Sequence, residues 1–139
     1  MPIAVRDALA KVPLFSGLDA KHLDKLAKDF SERRFDAGSV VVRQGDDHSV
    51  GFFVIADGEA AVSIDGKEVG TLHAGDEFGA IALISDRVRT ATVTAKTDLV
   101  TYVMTLWDFR SFVQADNEVS WKLLQQLAGM LHRQPSPTH

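Results

Sequence analysis

The sequence predicts a mainly β fold with flanking helices: a jelly-roll-like antiparallel β-barrel of about eight strands between N-terminal and C-terminal helices. Short apolar runs between residues 40 and 104 are separated by turn residues, and two Asp-Gly pairs lie between such runs. Apolar residues recur at helical spacing at both ends of the chain. Because 45% of the 139 residues are apolar, the chain is long enough to bury one core. We therefore expect a single domain over residues 1–139.

Two helices are predicted between about residue 4 and residue 30. The first runs from Ala4 to Val12 and ends before Pro13. Asp19 is a suitable N-cap for the second helix. That helix places an apolar set on one face: Leu23, Leu26, Ala27 and Phe30.

The barrel is predicted between about residue 31 and residue 105, where the apolar pattern changes to strand-like runs. These runs are Val40–Val42, Phe52–Ala56, Glu59–Ile64, Lys67–Leu72, Arg89–Ala95 and Leu99–Met104. Asp57-Gly58 and Asp65-Gly66 each predict a hairpin, since a type I′ turn needs positive φ at both central residues. A further turn is expected at His73–Asp76.

Two helices are predicted between about residue 106 and residue 132, and the second begins near Asp116 or Asn117. The first carries an aromatic cluster that we assign to the core: Trp107, Phe109 and Phe112. The second carries two adjacent apolar stripes, one of Val119, Leu123, Leu127 and Met130 and the other of Trp121, Leu124, Ala128 and Leu131. One barrel face cannot cover both stripes, so we expect this helix to contact a homodimer partner or an output protein.

Composition excludes several functional classes. A net charge of −4 and the lack of a basic run argue against nucleic-acid binding. Without cysteine the chain forms neither disulfides nor thiolate zinc sites. No apolar stretch is long enough to span a membrane, and the N-terminus lacks the order of a signal peptide. These features predict a soluble cytoplasmic protein.

The chemistry of the chain is concentrated in residues 78–93. Gly79 precedes a short apolar segment that we predict to be helical, and Arg89 follows ten residues later. A helix start presents free N–H groups to an anion, and an arginine closes on the same anion with a planar fork. The pattern predicts one phosphate held between Gly79 and Arg89. Taken alone, Arg89 would be interpreted as a surface arginine on a strand.

This segment resembles the phosphate-binding cassette of cyclic nucleotide-binding domains. The matching residues are Phe78, Gly79, Ile81, Ala82, Leu83, Arg89, Thr90, Ala91, Thr92 and Val93. The resemblance extends from about Leu9 to His132 and includes the turns Arg43–Asp46 and Asp57–Glu59. It implies a cAMP or cGMP site formed by Gly79, Ala80, Ile81, Ala82, Arg89, Thr90 and Ala91, without a cofactor. It also implies that a helix after the barrel caps the base and reports binding.

Two positions depart from the family pattern: Ala80 replaces a glutamate, and Val88 replaces a common proline. In the family that glutamate accepts a hydrogen bond from the ribose 2′-hydroxyl. One hypothesis is therefore a sensor that binds its nucleotide weakly. The alternative is a degenerate pocket whose fold serves as a protein-interaction module.

No catalytic or metal site is predicted. The five histidines are scattered without a ligand pair, and Ser85 beside Asp86 lacks a base at a recognisable spacing. We therefore expect a non-catalytic regulatory domain. The Arg-Thr-Ala triplet at 89–91 occurs in several cGMP-responsive family members, but the residues leave the choice between cAMP and cGMP open.

Overall fold

The computed structural model describes residues 3–46, 51–79 and 89–133. Its helical elements are α1 (Val5–Ala10), a 3₁₀ turn (Pro13–Phe15), α2 (Ala20–Ala27), α3 (Leu106–Gln114) and α4 (Asn117–Arg133). Its strands are β1 (Ser31–Phe35), β2 (Val40–Val42), β3 (Phe52–Asp57), β4 (Ala60–Ile64), β5 (Lys67–Leu72), β6 (Glu77–Phe78), β7 (Thr92–Ala95) and β8 (Leu99–Met104).

The strands form two antiparallel sheets. The first has the order β1-β8-β3-β6 and the second has the order β2-β7-β4-β5. Non-consecutive strands are neighbours in both sheets, as a jelly roll requires. The predicted fold class, mainly β with flanking helices, is confirmed.

Strand β3 lies inside the first sheet and is apolar on both faces. Phe52 and Val54 pack in the cluster that includes the helices, whereas Phe53 and Ile55 pack between the two sheets. Because Phe52–Ala56 are buried on both faces, this part of the strand has an unbroken apolar sequence instead of an alternating one, and Asp57 at its end is exposed. The cluster between the sheets consists of Val42, Phe53, Ile55, Ala60, Val93, Ala95, Leu99 and Val103.

The N-terminal helices cover the outer face of the first sheet. Asp19 caps α2 as predicted, accepting a hydrogen bond from the backbone N–H of His22 at 2.9 Å. Leu23 and Leu26 are buried, and the Phe30 ring meets the Phe52 ring edge-on at 5.4 Å. This packing fixes α2 over the start of β3.

The two Asp-Gly pairs have different structures. Asp65 and Gly66 have φ of 54° and 81° and join β4 to β5 in the predicted hairpin. The hairpin prediction at Asp57-Gly58 is wrong, because β3 and β4 belong to different sheets. Only Gly58 of that pair has positive φ, and a Cβ at this position would overlap the carbonyl of Asp98. A contact with a distant turn therefore makes this pair a corner between the sheets.

The predicted aromatic cluster on α3 is partly wrong. Phe109 and Phe112 are buried in the core, but Trp107 is 67% exposed. Residues two apart on a helix point to opposite sides, so Trp107 and Phe109 cannot share one face. The guanidinium of Arg110 lies 5.7 Å from the centre of the Trp107 ring.

Within the described ranges 3–46, 51–79 and 89–133, no helix has both the length and the apolar character that a membrane crossing requires.

Candidate functional site

The antiparallel pairing of β3 and β6 brings two glycines together at one end of the first sheet. Gly51 directly precedes β3 and Gly79 directly follows β6, so the start of one strand lies beside the end of the other. Phe53 pairs with Phe78 in register, and their rings stack with centres 4.9 Å apart and planes 7° apart. This stacked pair holds Gly79 next to the carbonyl of Gly51.

Arg89 reaches the same end of the barrel from the second sheet. Its backbone N–H donates to the carbonyl of Asp46 at 2.8 Å, and its carbonyl accepts from the N–H of Gly45 at 2.9 Å. Both partners belong to the turn that follows β2, the neighbour of β7. Strand β7 consequently begins at Thr92, three residues later than predicted. The backbone of Arg89 is therefore held by a turn.

The side chain of Arg89 connects the two sheets. It is 4% exposed, and its Nη2 donates to the carbonyl of Gly51. Gly79 has a φ of 98°, and a Cβ at that position would overlap Nη1 of Arg89. The guanidinium thus lies between two glycines of the first sheet while its backbone is held by the second. The surface-arginine interpretation of Arg89 does not agree with this burial.

This arrangement is suited to an anion. A guanidinium keeps its positive charge and offers five N–H donors in a plane, which matches the geometry of a phosphate. Because the group is largely removed from water, its attraction for a phosphate is screened less than at an exposed site. Gly79 has no side chain, so a ligand can approach its backbone closely.

Comparison with known proteins identifies the family. The sequence profile of the family described as "Cyclic nucleotide-binding domain" matches residues 32–116. The chain belongs to this family. The matched range contains Gly51, Gly79 and Arg89, together with all eight strands except the first residue of β1.

Individual relatives agree with this assignment. The chain is 48% identical over 92 residues to a cAMP-dependent protein kinase regulatory subunit of Schizosaccharomyces pombe, an alignment that covers 66% of this chain and 22% of the relative. It is 32% identical over 140 residues to the cGMP-dependent protein kinase egl-4 of Caenorhabditis briggsae, covering 93% of this chain and 18% of the relative. The chain therefore spans less than a quarter of either kinase-related protein.

A solved structure resembles the whole fold. It is the N-terminal domain of a transcriptional regulator from Streptomyces coelicolor A3(2), with a TM-score of 0.81 and 26% sequence identity. The similarity covers 91% of this chain and 94% of that one. Together these comparisons show a cyclic nucleotide-binding domain with its β-sandwich and flanking helices.

The other predicted ligand residues are only partly described. Thr90 is exposed and Ala91 is half-buried, both directly after Arg89. Ala80, Ile81 and Ala82 lie outside the described residues, as do Val88 and the predicted cassette helix. Of the predicted set, the structure brings Gly79 and Arg89 into contact, and the roles of the others stay predictions.

Gly51 was not predicted as part of the site. Its φ is 105°, and a Cβ there would overlap the carbonyl of Met104, so only glycine fits. A glycine within a strand pattern can mark a close backbone approach, and the glycine that adjoins this apolar run is the nearest such signal in the sequence. The partner of its carbonyl, Arg89, could not be found from local sequence.

A polar cluster joins the N-terminal and C-terminal helices at the other side of the first sheet. The ring of His22 lies 2.8 Å from a carboxylate oxygen of Asp19 and 3.1 Å from one of Asp116. The backbone N–H of His22 lowers the pKa of Asp19, and the hydrogen bond from the His22 ring lowers the pKa of Asp116. The cluster ties the start of α2 to the start of α4.

Helix α4 has one buried and one exposed apolar stripe. Val119 and Leu123 are buried in the core shared with α2 and the first sheet. Trp121 is 62% exposed and Leu131 is 72% exposed, with Leu124 also exposed between them. The second stripe of the sequence pattern therefore faces away from the core of this chain.

Proposed function

We propose that this chain is a non-catalytic sensor domain that binds a cyclic nucleotide, cAMP or cGMP, and passes the signal to other proteins through its terminal helices. The observation that carries the proposal is the buried guanidinium of Arg89, held between Gly51 and Gly79. Gly79 and Arg89 are the positions that match the phosphate-binding cassette of the family, and Gly51 is an additional backbone contact of Arg89. The names of the cAMP-dependent and cGMP-dependent relatives support the same class of ligand.

In this proposal Arg89 neutralises the single negative charge of the cyclic phosphate, and the backbone at Gly79 lies against the same group. The other residues of the predicted ligand set are Ala80, Ile81, Ala82, Thr90 and Ala91, and their roles stay predictions. Because alanine cannot accept the hydrogen bond that a glutamate provides, we expect weaker binding than in typical family members.

The terminal helices form the output region. The exposed stripe of α4, with Trp121, Leu124 and Leu131, provides a contact surface for a second copy of the chain or for an output protein. A cytoplasmic location, and the absence of nucleic-acid or membrane partners, stay predictions from composition.

A second candidate function is supported by the same stripe. If the pocket is degenerate, the domain acts as a protein-interaction module through α4 without a nucleotide. Two observations support this alternative: position 80 has alanine where the family has glutamate, and the apolar residues of the α4 stripe are exposed.

Calorimetric titration of the chain with cAMP and with cGMP tests the proposal. We expect binding of at least one nucleotide in the wild-type chain and none in Arg89→Leu, whose circular dichroism spectrum should remain native. Arg34→Leu is the matched control, because it removes an exposed arginine of β1 that pairs with Glu32. Failure of the wild-type chain to bind either nucleotide would place the interaction-module function first.

A further inference from the structure

The turn that holds Arg89 is itself attached to a distant hairpin through one glutamine. The side chain of Gln44 makes two reciprocal hydrogen bonds with Asp65, the first residue of the β4–β5 turn. Its Nε2 donates to Oδ1 of Asp65 at 2.9 Å, and its Oε1 accepts from the backbone N–H of Asp65 at 2.8 Å. We call this pair the Gln44–Asp65 clamp.

The geometry of both partners is restricted. Asp65 has a φ of 54°, a conformation that an aspartate adopts more readily than most residues, and it presents its N–H and its carboxylate to the same amide. The backbone N–H of Gln44 donates to Oγ1 of Thr92 in β7 at 2.9 Å. Gln44 therefore connects three elements: its own turn, the β4–β5 hairpin and the first residue of β7.

The same turn provides the two backbone hydrogen bonds of Arg89. Gly45 and Asp46 follow Gln44 directly, and the N–H of Asp46 donates to the carbonyl of Arg43 at 3.1 Å to close the turn. Strands β2 and β7 pair with a register shift between Val40 and Val42, so the ladder beside this turn is irregular. The clamp supplies a fixed attachment at the point where regular strand pairing ends.

We infer that Gln44 is a positioning residue for phosphate recognition: through the Gln44–Asp65 clamp it fixes the turn that sets the backbone of Arg89. The ligand part of this inference rests on the proposed nucleotide-binding function. It implies that the β4–β5 hairpin tip, which carries Asp65, controls nucleotide affinity without touching the nucleotide phosphate.

Backbone amide exchange measured by NMR on the ligand-free chain tests the clamp without any nucleotide. In Gln44→Ala we expect exchange at Arg89 and Gly45 to accelerate about three- to tenfold, the range associated with losing one net hydrogen bond. Exchange at Ile55 and Gly75 should not change, because their N–H groups donate to the carbonyls of Asp76 and Ile55, away from the turn that contains Gln44. Gln125→Ala, at an exposed glutamine of α4, is the matched control and should leave all four rates unchanged.

The same variants are then titrated with cAMP and cGMP. Gln44→Ala and Asp65→Ala should each weaken binding about three- to tenfold, and the double variant should be no weaker than the worse single one, since the partners act as a pair. Asp65→Asn is the conservative variant, because asparagine keeps the acceptor oxygen and the backbone N–H and tolerates positive φ. It should restore near wild-type affinity and exchange.

Each outcome decides a separate question. Unchanged exchange at Arg89 and Gly45 in Gln44→Ala would overturn the clamp. Faster exchange with unchanged affinity would overturn the positioning role. A wild-type chain that binds neither nucleotide would overturn the proposed function and the ligand part of this inference, while the exchange rates would still decide whether the clamp holds Arg89.

Discussion

The Arg89 end of the barrel and the helical layer are held by different kinds of interaction. At the barrel end, backbone hydrogen bonds from Gly45 and Asp46 and the close approach of Gly51 and Gly79 determine where the guanidinium lies. In the helical layer, apolar packing and the cluster around His22 position α2 and α4. At the Arg89 end of the barrel, backbone contacts restrict the position of the site. In the helical layer, side-chain contacts join whole helices.

This difference separates binding from response. A phosphate site needs donors fixed to within a fraction of an ångström, which sheet ends and glycine contacts provide. A response needs an element that can change partners, and a helix with an exposed apolar stripe is such an element. Substitutions at the barrel end should therefore change ligand affinity, and substitutions in the helical layer should change assembly or pH dependence.

After the loss of binding expected for Arg89→Leu, the largest expected effect is at Gly79. Gly79→Ala places a Cβ where Nη1 of Arg89 lies and requires φ near 98°, so the guanidinium must move. Losing a charge-assisted hydrogen bond corresponds to about ten- to a hundredfold in affinity, measured by calorimetry with cAMP and cGMP. Gly38→Ala is the matched control, since Gly38 also has positive φ but open space around its Cα. Equal losses in both variants would show that backbone strain, and not Arg89, is responsible.

Ala80→Glu should have the opposite effect. A glutamate at this position restores the acceptor that the family uses for the ribose 2′-hydroxyl, so affinity should rise about tenfold or more. Ligand binding to the native state also raises its stability, and thermal shift with excess nucleotide should be larger in this variant than in the wild type. Unchanged affinity would mean that the pocket is blocked elsewhere and would favour the interaction-module function.

Assembly should depend on the helical layer alone. Sedimentation at micromolar concentration should show a dimer, and Leu131→Asp should weaken it about tenfold or more by placing a charge in the exposed stripe. Gln114→Asp adds the same charge at an exposed position of α3, outside that stripe, and should leave the dimer intact. Nucleotide affinity should be the same in both variants. A wild-type monomer at these concentrations would leave an output protein as the remaining partner for the stripe.

The elements that the sequence predicted well are those specified by neighbouring residues. The Lys67–Leu72 strand has the predicted bounds, and the Asp19 cap is as predicted, because hairpin turns and N-caps depend on residues within a few positions. Asp57-Gly58 has the same local signal as Asp65-Gly66, yet the turn at Asp98 converts it into a corner. Local patterns do not contain that contact.

Prediction of the candidate site from the sequence was limited in the same way, because local patterns do not contain contacts between distant residues. The cassette pattern predicted Gly79 and Arg89 as phosphate ligands, and the structure places them in contact. Gly51 and Gln44 were not predicted as contributors, because their partners lie 38 and 21 positions away along the chain. The start of β7 was predicted too early for a related reason, since Arg89 bonds to a turn instead of a strand.

The smallest expected effect concerns acid stability in the helical layer. The pKa values of Asp19 and Asp116 are both lowered from 3.8, by the backbone N–H of His22 and by its ring respectively. A carboxyl group with a lowered pKa stabilises the fold above its ordinary pKa, and this contribution is lost as pH falls through the folded-state value. The melting temperature should therefore decrease below about pH 4, and the decrease should be shallower in Asp116→Asn, which cannot ionise. His22→Leu removes the ring that bonds to Asp116 but keeps the backbone N–H that bonds to Asp19, so it should flatten the Asp116 part of the profile, while nucleotide affinity at neutral pH stays unchanged in both variants. A profile equally steep in all three proteins would show that His22 does not couple α2 to α4 through these carboxylates.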